Sequence, residues 1–483
     1  MKSRQLLILF YISIFFYLNV AAQDASMFYA TMHLDDALKA KGEFPTEIEI
    51  IEQNSDEAVV LLTELGGHEI HERVLVHGPG YIYKSSLEEA LSALATLKPI
   101  QKNTFDYSIT ESETVMQVLD VINTQNIEDH IIELENYGTR FHTKPEAVQA
   151  ANDLKTKWEA MAAAYNRTDV SVRLFNHVNT GMPSVIMTIE GSELPEEFVV
   201  VGGHLDSTAS PSNDNAPGAD DDASGIATMT EAVRALFEID FTPKRTIEVM
   251  AYAAEEIGLV GSAEIAQEYN NNDVDVVAVA QFDMTLYKGS TSDIAFITDY
   301  TDSTLTSFLM TLIDTYNTSG AHQFTYTTSV CNYGCSDHAS WTNQGYSAAF
   351  PFEARFGEHN PFIHSPGDTY NFVGSATQPA KFAKLCAEFL IETAKSNNSL
   401  NIADTPEGLF QFYAYNNQLY YDTTNVSFPI ESIEIFDING RKILTETRFQ
   451  SAGIIHLDYL KAGFYVAKAN VNNDVITKKI ILN

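Results

Sequence analysis

The sequence is poor in cysteine and in basic residues. Only 3 of its 483 residues are cysteine, which excludes a small scaffold held together by disulfides. Lys and Arg total 29 against 65 Asp and Glu, so the net charge is −36. Nucleic acids and anionic membranes would repel so acidic a chain, and we expect neither as a partner. Beyond residue 20, no apolar run approaches the ~18 residues that a membrane-spanning helix needs.

The first 22 residues have the pattern of a secretory signal peptide. Lys2 and Arg4 precede an apolar run over residues 6–20, and Ala21-Ala22-Gln23 supplies small residues for cleavage. The alternative is an N-terminal membrane anchor, for which the run is short. We therefore expect a soluble exported protein that is either secreted or held at the cell surface.

The three cysteines leave room for one disulfide. An exported protein enters an oxidising compartment, where disulfides persist. Cys331 and Cys335 stand four residues apart and can pair, whereas Cys386 stands alone. We therefore predict a disulfide between Cys331 and Cys335, and we assign no role to Cys386.

Periodic patterns divide the rest of the chain into three domains. Residues 23–105 mix short strand patterns with one helix over 86–97, which predicts a small α+β region. Residues 106–398 alternate apolar strand runs with amphipathic helices. This pattern predicts an α/β fold with a mixed, mostly parallel central sheet sandwiched by helices. Residues 405–483 contain only short strand patterns separated by Asn-containing turns, which predicts a β-sandwich.

Polar residues that can bind metals gather where the strands of the middle domain end. Each of them alone has an ordinary explanation, such as helix capping or a solvated acidic pair. Ligands of such sheets bind at the carboxyl ends of the strands, so the group as a whole predicts one site. Clustered carboxylates repel one another unless cations neutralise them, and mixed imidazole and carboxylate ligands suit zinc. The candidates are His204, Asp206, Asp220, Asp221, Asp222, Glu255, Glu256, Asp283 and His364.

Six segments around these residues form an ordered series of motifs. They are GGHLDS, APGADDDASG, AYAAEEIG, FDMT, CNYGCSDHAS and the loop that holds His364. In this order they resemble the M28 family of dizinc aminopeptidases, most of all the secreted bacterial leucyl aminopeptidases. The resemblance covers residues 108–398. It implies the zinc exopeptidase fold and two zinc ions per chain, about 3.5 Å apart.

The resemblance also implies roles for individual residues. Glu255 matches the general base, and Asp206 matches a carboxylate that orients an imidazole ligand. A cis peptide bond is implied between Asp221 and Asp222. The implied reaction is attack on the N-terminal peptide bond by a water molecule that two cations activate and Glu255 deprotonates. The five implied ligands are His204 and Asp283 on one ion, Glu256 and His364 on the other, and Asp221 as the bridge.

A hydrophobic pocket for the first side chain of the substrate is implied as well. For Ile297 and Phe350, an ordinary place in the core is an equal alternative. Tyr333 lies between the two cysteines, at the expected mouth of the pocket, and His359 stands where relatives tend to have an aromatic residue. We expect the enzyme to remove apolar N-terminal residues from peptides or proteins. The matching residues are Met284, Ile297, Tyr333, Phe350, Phe352, Phe356 and Ile363.

The C-terminal segment contains three further motifs, FDINGR at 436–441, LKAGFY at 460–465 and TKKII at 477–481. They resemble the C-terminal sorting domain of type IX secretion, and the resemblance covers residues 405–483. It implies export across an outer membrane by a secretion machinery that would be a partner of this domain. The alternative is a carbohydrate-binding or adhesion sandwich.

Other functions of the middle domain stay open at this point. A carboxypeptidase or a one-zinc glutaminyl cyclase would have the same fold, although the complete set of five ligands disfavours the cyclase. A non-catalytic secreted binding protein would use the loop 214–222 to hold calcium, although this loop lacks the spacing of an EF-hand.

The segment between the signal peptide and the middle domain contains none of the six motifs. Residues 23–105 lie where related secreted enzymes carry a propeptide that assists folding and keeps the enzyme inactive. We therefore predict a propeptide-like domain, with a permanent accessory domain as the alternative.

Overall fold

A computed structural model gives the structure of residues 27–73, 80–95 and 107–395 and of eight C-terminal segments, 411–415, 418–422, 430–437, 441–447, 452–457, 459–461, 463–471 and 474–482. The predicted signal peptide, residues 1–22, lies outside the described residues. The chain divides into two compact units, Met1–Ser396 and Asn397–Asn483. None of the helices in the described part of the chain has the length and apolar character that a membrane crossing requires.

The first unit begins with a small α+β domain around a four-stranded antiparallel sheet. The strand order is β2-β3-β1-β4, and β3 is central because its run of Ala, Val and Leu is almost entirely buried. The predicted helix over 86–97 is present as α3. The elements are β1 (Met27–His33), α1 (Leu34–Glu43), β2 (Ile48–Gln53), β3 (Glu57–Thr63), α2 (Glu64–Arg73), β4 (Ile82–Lys84) and α3 (Leu87–Ala95).

The middle domain is built on an eight-stranded mixed sheet with the order β11-β10-β12-β9-β7-β8-β6-β5. Four of its seven pairings are parallel, as predicted. Its strands are β5 (Val170–Phe175), β6 (Ser184–Ile189), β7 (Leu194–His204), β8 (Arg245–Tyr252), β9 (Asp275–Gln281), β10 (Ile294–Ile297), β11 (Tyr326–Ser329) and β12 (Ala348–Phe352).

Helices cover this sheet because each of them buries an apolar stripe against it. For example, α6 buries Leu154 and Trp158, and α7 buries Ile226, Met229 and Val233. The helices are α4 (Ser112–Val121), α5 (Thr124–Glu135), α6 (Pro145–Ala164), α7 (Gly225–Glu238), α8 (Val260–Asn271), α9 (Ser303–Tyr316), α10 (His338–Asn343), α11 (Tyr370–Val373) and α12 (Pro379–Ala394). A short 3₁₀-helix, Gly320–His322, precedes β11.

Three neighbouring parallel strands position the candidate site. Strand β7 pairs in parallel with both β8 and β9, so the carboxyl ends of all three lie at the same edge of the sheet. All eight residues of β8 are buried, including the polar residues Arg245, Thr246 and Glu248. The polar residues that follow these strands therefore meet at that edge of the sheet, next to the packed core of the domain.

The second unit consists of antiparallel strands in two sheets, β13-β14-β17 and β16-β15-β18-β19. Leu419 and Tyr421 of the first sheet share one core with Ile433, Ile435 and Ala467 of the second, as a β-sandwich requires. The strands are β13 (Gln411–Tyr415), β14 (Gln418–Asp422), β15 (Ile430–Asp437), β16 (Lys442–Glu446), β17 (Ala452–His456), β18 (Gly463–Val471) and β19 (Asp474–Leu482).

Candidate metal centre

The five predicted ligands meet at the carboxyl edge of the sheet. His204 is the last residue of β7, while Glu256 and Asp283 follow β8 and β9. Asp221 lies in the turn Ala219–Ser224 directly before α7, where the backbone of Asp221 and Asp222 is non-helical, and His364 lies in the loop after β12. All are buried except His364, whose side chain is 14% exposed.

The two carboxylate oxygens of Asp221 face two separate groups of donors. Its Oδ1 lies 2.9 Å from His204 Nε2, and this nitrogen lies 3.5 Å from Asp283 Oδ1. Its Oδ2 lies 3.0 Å from His364 Nε2, which lies 3.4 Å from Glu256 Oε2. One aspartate therefore stands between one histidine–aspartate pair and one histidine–glutamate pair.

Burial and the neighbouring charges shift the pKa values of the residues in this cluster, as expected where several carboxylates surround a cation site. Burial raises the pKa of Glu256, and the nearby carboxylate of Asp221 raises it further. Burial alone would lower the pKa of His204, but Asp283 and other carboxylates outweigh it and hold that pKa well above its usual value. Cations relieve the repulsion among such carboxylates. Imidazole nitrogens mixed with carboxylate oxygens form a donor set that zinc accepts, so the residues present fit the predicted metal.

Glu255 and its neighbour Glu256 are both buried, but Glu256 Oε2 lies 3.4 Å from His364 Nε2, whereas no described histidine forms an ion pair with Glu255. The Glu255 side chain is fully buried, and within the described part of the chain no hydrogen bond reaches either of its carboxylate oxygens. Burial raises its pKa well above the usual value. A buried carboxylate with both oxygens available for a proton is what a general base needs.

Asp206 lies beside His204, which the family resemblance implies that it orients, and it also bonds to the backbone of both glutamates, which the sequence did not indicate. Its carboxylate accepts the backbone N–H groups of Glu255, at 3.0 Å, and of Glu256, at 3.2 Å. The Nδ1 atom of His204 lies 3.1 Å from the carbonyl oxygen of Asp206 and 3.6 Å from its carboxylate. Asp206 thus fixes the turn that carries both glutamates as well as the ring of His204.

Comparison with known proteins identifies the family. Residues 184–390 match the family model described as Peptidase family M28. A probable leucine aminopeptidase of Arthroderma benhamiae is 35% identical over 295 residues, which cover 60% of this chain and 79% of the relative. The chain belongs to peptidase family M28.

Further comparisons extend this assignment to most of the first unit. A probable aminopeptidase of Saccharomyces cerevisiae is 30% identical over 299 residues, covering 60% of this M28 chain and 78% of the relative. The crystal structure of the Legionella pneumophila LapA aminopeptidase matches with a TM-score of 0.67 and 31% identity, covering 77% of this chain and 99% of LapA. The predicted fold and the predicted enzyme class, a peptide hydrolase of the aminopeptidase type, are confirmed.

The C-terminal prediction is confirmed as well. Residues 415–483 match the family model described as Secretion system C-terminal sorting domain. This M28 peptidase is therefore exported, either into the medium or to the cell surface. The alternative of a carbohydrate-binding or adhesion sandwich is not needed.

An apolar cluster lies beside the metal centre and contains every predicted pocket residue. Ile297 of β10 pairs in register with Phe350 of β12. Both residues are fully buried, as core residues are, and both also belong to this cluster. His359 packs on the rings of Phe352 and Phe356, with centroids 5.9 and 5.5 Å away. The cluster also contains the predicted disulfide, which is present. Its members are Met284, Ile297, Cys331, Tyr333, Cys335, Phe350, Phe352, Phe356 and Ile363.

The N-terminal domain lies against the candidate site. The backbone N–H of Tyr83 donates to the carbonyl oxygen of Gly258, at 3.0 Å, two residues after Glu256. Gly258 has φ +109°, and a Cβ there would lie 2.9 Å from the Cβ of Tyr83. Burial raises the pKa of Tyr81, and the Glu255 carboxylate raises it further. A cavity of about 780 Å³ between the two domains is lined by residues that include Tyr81 and Tyr333.

Two residues that hold the ligands escaped the sequence reasoning. Ser336 donates its hydroxyl to Asp283 Oδ2 at 2.6 Å. The carboxylate of Asp368 accepts the backbone N–H groups of Asp220 and Asp221, both at 3.1 Å. Ser336 stands within the motif CNYGCSDHAS, so the motif itself was a signal, whereas nothing in the pattern around Asp368 distinguishes it from a loop residue.

Proposed function

We propose that this protein is a dizinc aminopeptidase that removes apolar N-terminal residues from peptides. The observation that carries the proposal is the position of Asp221 between two donor groups, one with His204 and Asp283 and the other with Glu256 and His364. A carboxylate shared in this way is the arrangement by which two metal ions are held close together. The number of ions and the role of each residue belong to this proposal.

The residues of the chain divide the chemistry among them. Two bound zinc ions would lower the pKa of a shared water molecule and polarise the scissile carbonyl group. Glu255 takes the proton of the attacking water molecule and passes it to the leaving amine, because its oxygens are free of other donors among the described residues. Asp206 keeps Glu255 in place through the backbone.

The apolar cluster supports the preference for apolar first residues. Phe350 and Phe352 are fully buried, and Tyr333 is only 8% exposed. Calcium binding by the loop 214–222 is disfavoured, because Asp214 pairs with Lys144 at the surface while Asp221 is directed to the histidines.

Zinc content and one pair of substrates test the proposal. The purified protein should contain two zinc ions per chain and hydrolyse leucine p-nitroanilide but not its N-acetyl derivative, because an aminopeptidase requires a free amine. A matched series with alanine, leucine and glutamate p-nitroanilides should favour leucine. A protein that binds no zinc and cleaves none of these amides would refute the proposal.

We also propose that residues 23–105 are a propeptide that covers the site. The hydrogen bond between Tyr83 and Gly258 and the burial of Tyr81, whose pKa the Glu255 carboxylate raises, support this role. The hydroxyl of Tyr300 donates to Glu57, which adds a second contact between the domains. A folded domain at this place would keep substrates from the pocket mouth at Tyr333.

Cleavage at a chosen site tests the inhibitory role. A protease recognition sequence placed within residues 96–106 of the full-length chain should allow activity to rise after cutting. Tyr81→Ala should raise the activity of the uncut chain, whereas Tyr29→Ala, in strand β1 of the same domain, should not. Full activity before cutting would contradict inhibition. Equal refolding of a chain that begins at residue 103 would contradict a role in folding.

For export, we propose that the signal peptide 1–22 directs the first step and that the sorting domain engages an outer-membrane secretion machinery. The match of residues 415–483 supports the second step. A chain ending at residue 404 should accumulate in the periplasm. Its appearance outside the cell at the normal level would contradict this role.

A further inference from the structure

Arg140 lies at the centre of the loops that carry the candidate ligands. It follows α5, and its neighbour Thr139 forms an isolated bridge with Ala216. Its side chain is completely buried. Its backbone N–H donates to Ser207 Oγ at 2.9 Å, and this hydroxyl donates to the carbonyl oxygen of Ala216 at 2.7 Å. Backbone and side chain are therefore both held in place.

The guanidinium group donates only to backbone carbonyl groups. Nε reaches Leu205 at 2.8 Å, between His204 and Asp206. Nη1 reaches Pro217 at 2.7 Å and Leu134 at 3.0 Å, and Nη2 reaches Gly218 at 2.9 Å. Pro217 and Gly218 lie directly before the turn that carries Asp221. One planar group thus ties the loop of the first histidine to the loop of the bridging aspartate.

The backbone at Gly218 is packed too closely against its neighbours to accept a side chain. Gly218 has φ +53°, and a Cβ there would lie 2.5 Å from the carbonyl oxygen of Asp221, 2.6 Å from the Ser207 Cβ and 3.0 Å from Arg140 Nη2. A side chain at Gly218 would therefore push the two loops apart. The distance between them is set by the length of the guanidinium fork.

The charge of Arg140 has no direct partner. Among the described residues no carboxylate forms an ion pair with it, and burial lowers its pKa. The nearby carboxylates of Asp222, Asp368, Asp206 and Asp221 oppose this effect. A buried charge that forms no ion pair is costly to the fold. The positive charge of Arg140 instead acts on these four carboxylates of the site and offsets part of their negative charge.

We propose that Arg140 is a positioning residue for the metal centre, which holds the His204 and Asp221 loops at a fixed separation and offsets part of the negative charge of the carboxylates. This proposal rests on the proposed dizinc function. It assigns to Arg140 no contact with substrate or with metal. Residues that support metal ligands typically contribute 10–100-fold to metal affinity or activity.

Zinc affinity compared with stability tests this role in the full-length chain. Arg140→Met should weaken zinc binding by about 10–100-fold in a chelator competition and lower kcat by a similar factor, with KM little changed. Arg140→Lys keeps the charge but loses the fork, and should weaken zinc binding by about tenfold, at the lower end of that range. Melting of the metal-free protein reports the purely structural effect of each change.

Arg167→Met is the matched control. The Arg167 side chain is 7% exposed and donates to Asp169 and to the carbonyl oxygen of Phe241, away from the candidate ligands. This variant should melt earlier but bind zinc with unchanged affinity. Unchanged zinc affinity in both Arg140 variants would overturn the proposal.

Two further outcomes remain informative. If Arg140→Met does not fold, Arg140→Lys decides alone, because unchanged zinc affinity in that variant contradicts a role for the fork. If the unchanged protein binds no zinc, the proposed function fails before any Arg140 variant is compared. The two failures are therefore distinguishable.

Discussion

Two clusters of histidine and carboxylate lie in the middle domain, and only one of them has the features of an active site. In the second cluster, His177 Nε2 lies 2.7 Å from Ser184 Oγ, and His177 Nδ1 lies 3.1 Å from Glu264 Oε2. These distances are those of a Ser-His-acid catalytic triad. Ser184 is nevertheless completely buried, and its hydroxyl oxygen accepts the backbone N–H of Ala253 at 2.9 Å.

The two clusters differ in whether their carboxylates have hydrogen-bond partners. Glu264 accepts the backbone N–H groups of Val178 and Asn179 in addition to its contact with His177. In the metal centre, Glu255 is buried with no hydrogen bond to its carboxylate from any described residue. A buried polar group without a hydrogen bond is costly to the fold, so Glu255, which lies among the candidate metal ligands, is a candidate for chemistry, whereas the satisfied hydrogen bonds of Glu264 fit a structural role.

The largest effect is expected from Asp221→Asn. The change removes the negative charge between the two histidines while keeping the shape of the side chain. Zinc should be lost and activity should fall by more than the ~10–100-fold typical of residues that only support a ligand. Metal analysis after dialysis against buffered zinc measures this. Asp214→Asn is the control, because Asp214 is 76% exposed and should leave zinc content unchanged.

Glu255→Gln should abolish most activity and leave the metal in place. Removing a general base typically costs about 10²–10⁴-fold in rate. Zinc content and kcat for leucine p-nitroanilide are the two measurements. Loss of zinc in this variant would show that Glu255 is a ligand and that the roles of Glu255 and Glu256 are reversed.

A change in the apolar cluster should affect selectivity more than chemistry. Phe352→Ala should reduce kcat/KM for leucine p-nitroanilide by about 10–200-fold, as expected for lost apolar contact with a substrate side chain. The ratio of kcat/KM for leucine p-nitroanilide to that for alanine p-nitroanilide should decrease. Phe382→Ala, at a fully buried residue of α12, is the control, since it should lower stability without changing that preference.

The smallest effect on activity is expected in the second cluster. Glu264→Gln should lower the free energy of unfolding by about 1–2 kcal/mol through weaker hydrogen bonds. Activity per folded molecule should stay the same, because Ser184 is not a nucleophile. Denaturant unfolding and active-site-normalised kinetics distinguish these outcomes, and a large loss of kcat would contradict the structural interpretation.

The pH dependence of this stability difference has a definite sign. Burial alone would raise the pKa of Glu264, but its hydrogen bonds with His177 and Val178 outweigh burial and lower the pKa. A lowered pKa in the folded state stabilises the protein above the unfolded pKa, and the contribution is lost as the pH falls through the folded pKa. Wild type and Glu264→Gln should therefore differ at neutral pH and converge in acid.

Much of the site was predictable because its ligands follow apolar strand runs. An apolar run such as Val199-Val200-Val201 of β7 identifies a buried parallel strand, and the polar residues after it then lie at the carboxyl edge of the sheet. The capping role considered for Asp222 was also sound, since its Oδ1 accepts the backbone N–H of Gly225 at 2.8 Å. The carboxylate of Asp222 also accepts a hydrogen bond from the backbone N–H of His204 at 3.1 Å, which no local sequence pattern indicates.

The sequence by itself determined the fold class, the family and the positions of the candidate ligands, because periodicity and motif spacing are local properties of the chain. Only the tertiary structure showed that Arg140 joins two loops of candidate ligands, that Tyr83 of the N-terminal domain bonds to Gly258 after Glu256, and that Ser184 is buried. These facts depend on contacts between residues far apart in the sequence. Their hydrogen bonds and burial arise only when the sheet and its loops pack together.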